Sequence, residues 1–256
     1  MKPRISIITI TYNAAEELKP TLDSVLMQTY PLVEHLIIDG ASKDDTLTIA
    51  NQYSEMSAEQ AAAHEVIIMS EPDHGIYDAM NKGLDKATGD FVLFLNAGDR
   101  LPQADTLEMV AEKAADDVAV IYGDTDIVDA EGHFISHRHL SAPERLSWHS
   151  FRKGMLVCHQ AFYARTIIAK SEHYDLRYRH SADVDWCIRV MKRAADCNMR
   201  MENVHAVIAH FLDGGNTTKN HKASLRERYL VMQRHYGVVQ TFLLHCWFVV
   251  RAVISR

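Results

Sequence analysis

Polar and acidic residues cluster at the ends of four apolar runs within the first hundred positions. Thr11, Tyr12 and Asn13 follow the first run, and Asp39 with Gly40 the second. Asp73, His74 and Gly75 follow the third, and Asn96, Ala97, Gly98 and Asp99 close the fourth. Taken singly, an Asp-Gly or Gly-Asp pair is ordinary turn chemistry. Four consecutive run ends that each deliver a carboxylate or polar cluster exceed what turns require. Open α/β sheets bind ligands in the crevice beyond the carboxyl ends of their strands, so a polar binding site assembled from these ends is expected. Two phosphate-binding signatures are missing: no GxGxxG follows the first run, and no Walker A sequence occurs. A dinucleotide dehydrogenase and a P-loop enzyme are thereby excluded.

The elements that must position these residues are legible. Ile5–Thr11, Val33–Asp39, Glu65–Ser70, Asp90–Asn96 and Val118–Tyr122 are strand-length runs rich in Ile, Val, Leu and Phe. Their apolar character is nearly continuous, as in strands covered on both faces. Amphipathic stretches lie between them, and Leu18, Leu22, Val25 and Leu26 share one helical face. Pro20 argues against a fully regular first helix, and Ser42 with Asp45 reads as a capping box for the second. Strand alternating with helix over about 120 residues predicts a doubly wound, mostly parallel α/β sheet. Beyond it, Asp129-Ala-Glu-Gly132 marks a hairpin within 124–139, and Met155–Ala164 reads as a further strand. Asp183–Ala195 is helical and Met199–Phe211 extended, with a glycine-rich loop at Asp213–Thr217.

Composition narrows the class. The 256 residues are 47% hydrophobic and 24% charged, with a formal net charge of −7 and no long basic run. Duplex nucleic-acid binding needs concentrated Lys and Arg and is not expected. The four cysteines lack CxxC spacing, and the 15 histidines include no HExxH, so no disulfide framework or His-metal site is assigned. No secretory leader is recognised ahead of Ile5, which makes the cytoplasm the expected compartment. The apolar stretch Val238–Arg256, interrupted by His245 and Arg251, is expected to pack on the core as a terminal helix. The alternative is an interfacial helix in peripheral contact with the inner face of the plasma membrane.

Four segments together resemble the family 2 glycosyltransferases of GT-A fold. They are Ser6-Ile-Ile-Thr-Ile-Thr-Tyr-Asn13, Ile37-Ile-Asp-Gly-Ala-Ser-Lys-Asp-Asp-Thr46, Glu71-Pro-Asp-His-Gly-Ile-Tyr-Asp-Ala-Met-Asn-Lys-Gly83 and Gly89-Asp-Phe-Val-Leu-Phe-Leu-Asn-Ala-Gly-Asp99. The likeness is to the branch found in bacterial exopolysaccharide, capsule and O-antigen gene sets, and it is looser in the second half. It implies a GT-A domain over 1–220, split into a nucleotide-sugar half (1–122) and an acceptor half (123–220), with a helical tail at 221–256. The implied activity is inverting transfer of a hexose from a nucleotide-diphosphate donor, UDP by family habit, to a hydroxyl of a glycan or lipid-linked acceptor.

The same resemblance implies roles. Thr11 and Tyr12 would cradle the base, with Asn13 beside them, and Asp39 would accept a base N–H. Asp73 and Lys82 would lie near ribose or diphosphate. Asp99, last residue of a DxD-type motif, would hold Mg²⁺ or Mn²⁺ through oxygen. Asn96 and Gly98 stand where other members carry aspartates, which thins that site. Asp183 would be the general base, with Asp185 its rival, while His159, Gln160, Gly214 and Gly215 would line the acceptor side. A nucleotidylyltransferase would need a basic, glycine-rich loop after the first strand, where this chain has Tyr12-Asn-Ala-Ala-Glu-Glu17. A catalytically impaired nucleotide-sugar-binding scaffold is the other reading. Its only support is the thinned metal motif, and activity with and without Mn²⁺ discriminates it.

Overall fold

The computed structural model describes residues 2–60, 64–214 and 221–254, with backbone alone at 221–222 and 247–254. Strands β1 (Ile5–Thr11), β2 (Val33–Asp39) and β3 (Glu65–Ser70) fall where continuous apolar runs predict them. They alternate with α1 (Ala15–Leu26), α2 (Thr46–Ala58) and α3 (Ile76–Lys86). β4 is shorter than expected, Phe91–Phe94, and is followed by α4 (Thr106–Glu112). β5 runs on to Val128 and turns back through Asp129–Gly132 into β6 (Phe134–His137).

β1, β2, β3 and β4 are parallel, in the spatial order β3-β2-β1-β4. The chain therefore winds outward from β1 to β3, then crosses back to pair β4 on the other side of β1. Between β1 and β4 no connection covers the strand ends, so a crevice opens there. The expectation for 155–164 needs correction. Its start forms no strand; a short 3-10 helix, His159–Ala161, leads into β7 (Phe162–Arg165). β7 inserts antiparallel between β4 and β5, so the sheet is mixed beyond β4. Strand β8 (Arg200–Leu212) pairs parallel to β5 and completes eight strands.

Residues on both faces of β1, β2 and β4 are buried, and polar members are satisfied in pairs. Glu34 accepts from the Ser6 and Thr88 hydroxyls at 2.5 Å each. His35, whose burial depresses its pKa to about 3, sits neutral between the Thr9 and Tyr53 hydroxyls. The capping box anticipated at Ser42 and Asp45 does not form. Asp44 instead accepts from the Thr46 N–H (3.1 Å) and hydroxyl (2.6 Å), while Ser42 turns to Asp39. Pro20 lies in the sixth position of α1, and the helix runs through it with Leu18, Leu22 and Val25 buried.

After α5 (Thr166–Lys170), α6 (Ala182–Asp196) packs Trp186, Ile188, Val190 and Met191 against the core. Two tail helices follow, α7 (His221–Tyr236) and α8 (Val238–Ile254). α7 buries Val231 and Met232, and the Tyr236 hydroxyl donates to Trp148 O at 2.5 Å. The first turns of α8 leave Val238, Val239, Phe242 and Leu243 each more than half exposed, while Thr241 is buried. Among the described residues no helix is long and apolar enough to cross a membrane.

Asp185 joins α6 to α7. Fully buried, it accepts from Arg189 Nε and from His235 Nε2, both at 2.7 Å. Burial raises its pKa, but these hydrogen bonds and the Arg189 charge outweigh that, leaving the carboxyl below its ordinary value. A folded-state pKa below the unfolded one (about 3.9) stabilises fully above the unfolded value and is lost as pH falls through the folded one. Asp185→Asn should therefore cost about 1.5–3 kcal/mol at pH 7, since Arg189 keeps its other carboxylate, Glu172, but loses a buried charged hydrogen bond. In urea titrations the gap between wild type and variant should narrow below about pH 4; a gap independent of pH would refute the ion-pair account.

Candidate active site

The crevice predicted by the strand order is a cleft of about 680 Å³. From β1 and its following turn come Thr11 and Tyr12; from the segment after β3 comes Asp73; Asn96 and Asp99 follow β4. The opposite wall is supplied by His159 and Gln160, on the 3-10 helix before β7, and by Asp183 on α6. Eight of the residues singled out from sequence thus face one space, although they derive from five separate segments.

Each is held by local chemistry. Gly40 makes room for Asp73: a Cβ there would lie 2.4 Å from Asp73 Oδ2 and 3.3 Å from the Tyr12 ring, so the Asp73 carboxyl would have to move. Asp73 Oδ1 accepts the Gly75 N–H at 2.8 Å. Tyr12 is 65% exposed at the cleft edge, its ring available for stacking. Asp183 is half-buried in the first turn of α6, and Ser181, not Asp183, is the residue at the N-cap. The Tyr77 hydroxyl donates to Asp183 Oδ1 at 3.3 Å. Tyr77 stacks on Tyr174, whose hydroxyl lies 2.5 Å from His159 Nε2. His159 is fully enclosed, its pKa lowered to about 4 by burial, and it stacks on Phe94. It is a neutral wall residue.

Asp99 is the most perturbed acid. It is buried with no cation beside it, and desolvation lifts its pKa to about 7 against the opposing Gln160 and Leu212 hydrogen bonds. Gln160 Nε2 donates to Oδ2 at 2.6 Å and the Leu212 N–H to Oδ1 at 3.1 Å. Gly98 (φ 98°) makes the turn that delivers Asp99, with the Leu212 side chain where a Cβ would be. Nearby, buried Asn96 Oδ1 has no hydrogen-bond partner. A carboxylate lacking a counter-charge and an orphaned amide oxygen, both hard donors, fit a Mg²⁺ or Mn²⁺ ion. A separate grouping of Asp129, Glu131 and His133 lies on the β5–β6 turn; Asp129 there already accepts from the His133 N–H and ring.

Other expected site residues are placed elsewhere. Asp39 is buried behind Thr11, and both its oxygens are occupied. Thr11 Oγ1 (3.1 Å) and Ser42 Oγ donate to one, the Ser42 N–H (3.0 Å) and Ser70 Oγ (2.6 Å) to the other. With four donors already filling it, Asp39 braces the loop after β1 and is outside the cleft lining. Asn13 (φ 49°) does the same: its N–H donates to Ser42 Oγ and its Oδ1 accepts the Lys43 N–H. Asn13 and Gly214 border an adjoining smaller pocket. Lys82 is turned to Glu71, Asp78 and the Pro72 carbonyl, so a diphosphate contact is not supported. Asp185 serves the α6–α7 ion pair and not the cleft. Gly215 lies outside the described residues.

Several lining residues escaped the sequence reading. Tyr77 was within a recognised segment, but only its pairing with Asp183 marks it. Arg138, Arg179, His180 and Arg228 also face the cleft. The Arg138 guanidinium donates to the Leu140, Met155 and Leu156 carbonyls.

A parallel half-sheet with its ligand crevice at the switch point, flanked by a mixed extension carrying an opposing acid, defines the GT-A class of fold. The model of glycosyl transferase family 2 matches residues 6–197, and the chain belongs to that family. It is 37% identical over 222 residues to a PGL/p-HBAD biosynthesis glycosyltransferase of Mycobacterium tuberculosis, covering 83% of this chain and 78% of that protein. An amylovoran biosynthesis glycosyltransferase of Erwinia amylovora is 30% identical over 199 residues, 73% of this chain and 64% of the other. Among solved structures, S. aureus TarS 1-349 in complex with UDP-GlcNAc superposes with TM-score 0.67 at 18% identity. That match covers 90% of this chain and 64% of TarS 1-349. The mannosyltransferase PcManGT of Pyrobaculum calidifontis, in complex with GDP-Man and Mn²⁺, gives 0.65 at 16% identity, over 92% of this chain and 64% of its own. The chain spans about two thirds of these neighbours' length, and at such identity they speak to fold alone.

Proposed function

We propose that this chain is an inverting hexosyltransferase that moves a sugar from a nucleotide-diphosphate donor, UDP in the first instance, to a hydroxyl of a glycan or lipid-linked acceptor. The process served is cell-surface polysaccharide or glycolipid synthesis. The observation that carries this reading is the convergence of Asp99 and Asp183, from distant segments, on one cleft whose edge bears Thr11 and Tyr12. The nucleotide sugars named with TarS and PcManGT, and the biosynthetic roles named for the two curated relatives, support it.

In this reading the nucleoside lies against Thr11 and Tyr12, with Asp73 near the ribose. Asp99 and the orphaned Asn96 oxygen would hold Mg²⁺ or Mn²⁺, which supplies charge neutralisation for a departing diphosphate. Asp183 takes the proton of the acceptor hydroxyl while that oxygen attacks the anomeric carbon. The bond to the diphosphate breaks on the opposite face, so configuration inverts. Tyr77, donating to Oδ1, fixes the carboxylate and leaves Oδ2 for the acceptor.

Asp183→Asn should reduce kcat about 10²–10⁴-fold while changing UDP affinity little; undiminished turnover would remove the assignment. Tyr77→Phe removes a hydrogen bond that positions the Asp183 side chain. It should lower kcat about tenfold with UDP affinity little changed, since a bond to a charged group is worth about 1.5 kcal/mol. An unchanged kcat would make Tyr77 a packing residue only.

The exposed apolar face of α8 and the charge of the tail support peripheral binding to an anionic membrane from the cytoplasmic side. Residues 221–256 hold six Lys and Arg and a single acid, in a chain of net charge −7. Phe242→Asp should abolish co-sedimentation with phosphatidylglycerol vesicles without lowering the melting temperature. Sedimentation equal to wild type would count against this surface.

A further inference from the structure

The cleft has a cationic corner that the proposed chemistry does not use. Arg179 and His180 lie in the loop leading into α6, and Arg228 on α7; all three line the same cleft as Asp183. Neither arginine forms a salt bridge among the described residues, and Arg228 Nε is buried with no hydrogen-bond partner. An exposed arginine alone would be unremarkable. A guanidinium nitrogen removed from water and left without an acceptor is costly, and points to an anion that the site is built to receive.

The adjacent acid does not supply that anion. Glu227, the single carboxylate of the tail, accepts the backbone N–H groups of Arg179 (3.0 Å), His180 (2.7 Å) and Ser181 (3.0 Å). Its charge is thus committed to the amino end of α6. The effect is constructive: Glu227 clamps the 179–181 loop to α7 and holds the segments bearing Arg179 and Arg228 together. Position then decides which substrate is involved. The residues assigned to the donor stand on the ends of β1, β3 and β4. The arginines sit on the elements that carry and brace Asp183, where the acceptor hydroxyl must lie.

We infer that Arg179, His180 and Arg228 form an anion subsite that grips a phosphate group of the acceptor, so that the acceptor is a phosphorylated or lipid-phosphate-linked glycan. This deepens the transferase reading and rests on it. The donor's diphosphate is the other source of the same chemistry, and the test separates the two.

The full chain is first titrated with UDP and Mg²⁺ by calorimetry. The UDP-saturated protein is then titrated with inorganic phosphate and with geranyl diphosphate. Wild type should bind both phosphate probes. Arg179→Gln and Arg228→Gln should each weaken probe binding by about tenfold or more, as expected on losing a charge-assisted contact, with UDP affinity within twofold. Arg226→Gln, an exposed neighbour on α7 outside the cleft lining, controls for diffuse attraction and should bind like wild type. Melting temperatures show whether the variants fold. If the UDP-saturated protein takes up no phosphate probe, the subsite is refuted. It is equally refuted if the arginine variants lose UDP and keep the probes, or if Arg226→Gln weakens the probes as much as they do. If wild type fails to bind any nucleotide diphosphate, the transferase reading falls. The probe titrations on the nucleotide-free protein then judge the anion subsite by the same criteria.

Discussion

The return of β4 to the side of β1 is the constraint from which the rest of the site follows. Pairing Ile5–Ile8 with Phe91–Phe94 puts Thr11 and the Asn96–Asp99 turn beside one another at the same edge of the sheet. The strands on the other side, β2 and β3, bring their carboxyl ends to that edge in register, Thr11 against Asp39 and Asp39 against Ser70. Because parallel strands present all their carboxyl ends on one side, every acid at a strand end is delivered to the same neighbourhood. The acids there then divide their labour by hydrogen bonding. Asp39 is saturated by four donors and becomes scaffold. Asp99, with one donor to each oxygen and no cation, lines the cleft.

The far wall depends on α6, and on a simple property of helices. Successive residues rotate by about 100°, so Asp183 and Asp185 point to nearly opposite sides. One faces the cleft beneath the Tyr77 hydroxyl, and the other faces the core, where Arg189 and His235 enclose it. Two carboxylates two residues apart acquire a cleft-facing and a core-facing position from that rotation alone. The tail is joined to the same helix twice, by His235 to Asp185 and by Glu227 to the N–H groups at its amino end. The placement of Asp183 is therefore tied to a segment that also carries the exposed apolar residues of α8. The exposed face of the tail and the cleft wall that carries Asp183 are thus mechanically connected.

What residue order alone determined is local. Continuous apolar runs set the bounds of β1, β2 and β3; β1 and β2 are covered on both faces, while β3 at the sheet edge is only half-buried. Helical spacing located the buried face of α1 and the span of α6, and the polar residues at run ends marked the edge where the cleft opens. Those features depend on neighbours in the chain and survive without knowledge of distant partners. Tertiary structure decided the remainder, since burial and pairing are properties of what arrives from elsewhere. β7 forms only where β4 and β5 offer it an antiparallel slot. Lys82 is drawn to Glu71 and Asp78, and Asp39 is turned to Ser42 and Ser70. The lone Arg228 nitrogen becomes meaningful only once α7 folds against the loop before α6. No spacing rule encodes these outcomes, because each is settled by competition among groups far apart in sequence for the same few hydrogen-bonding positions.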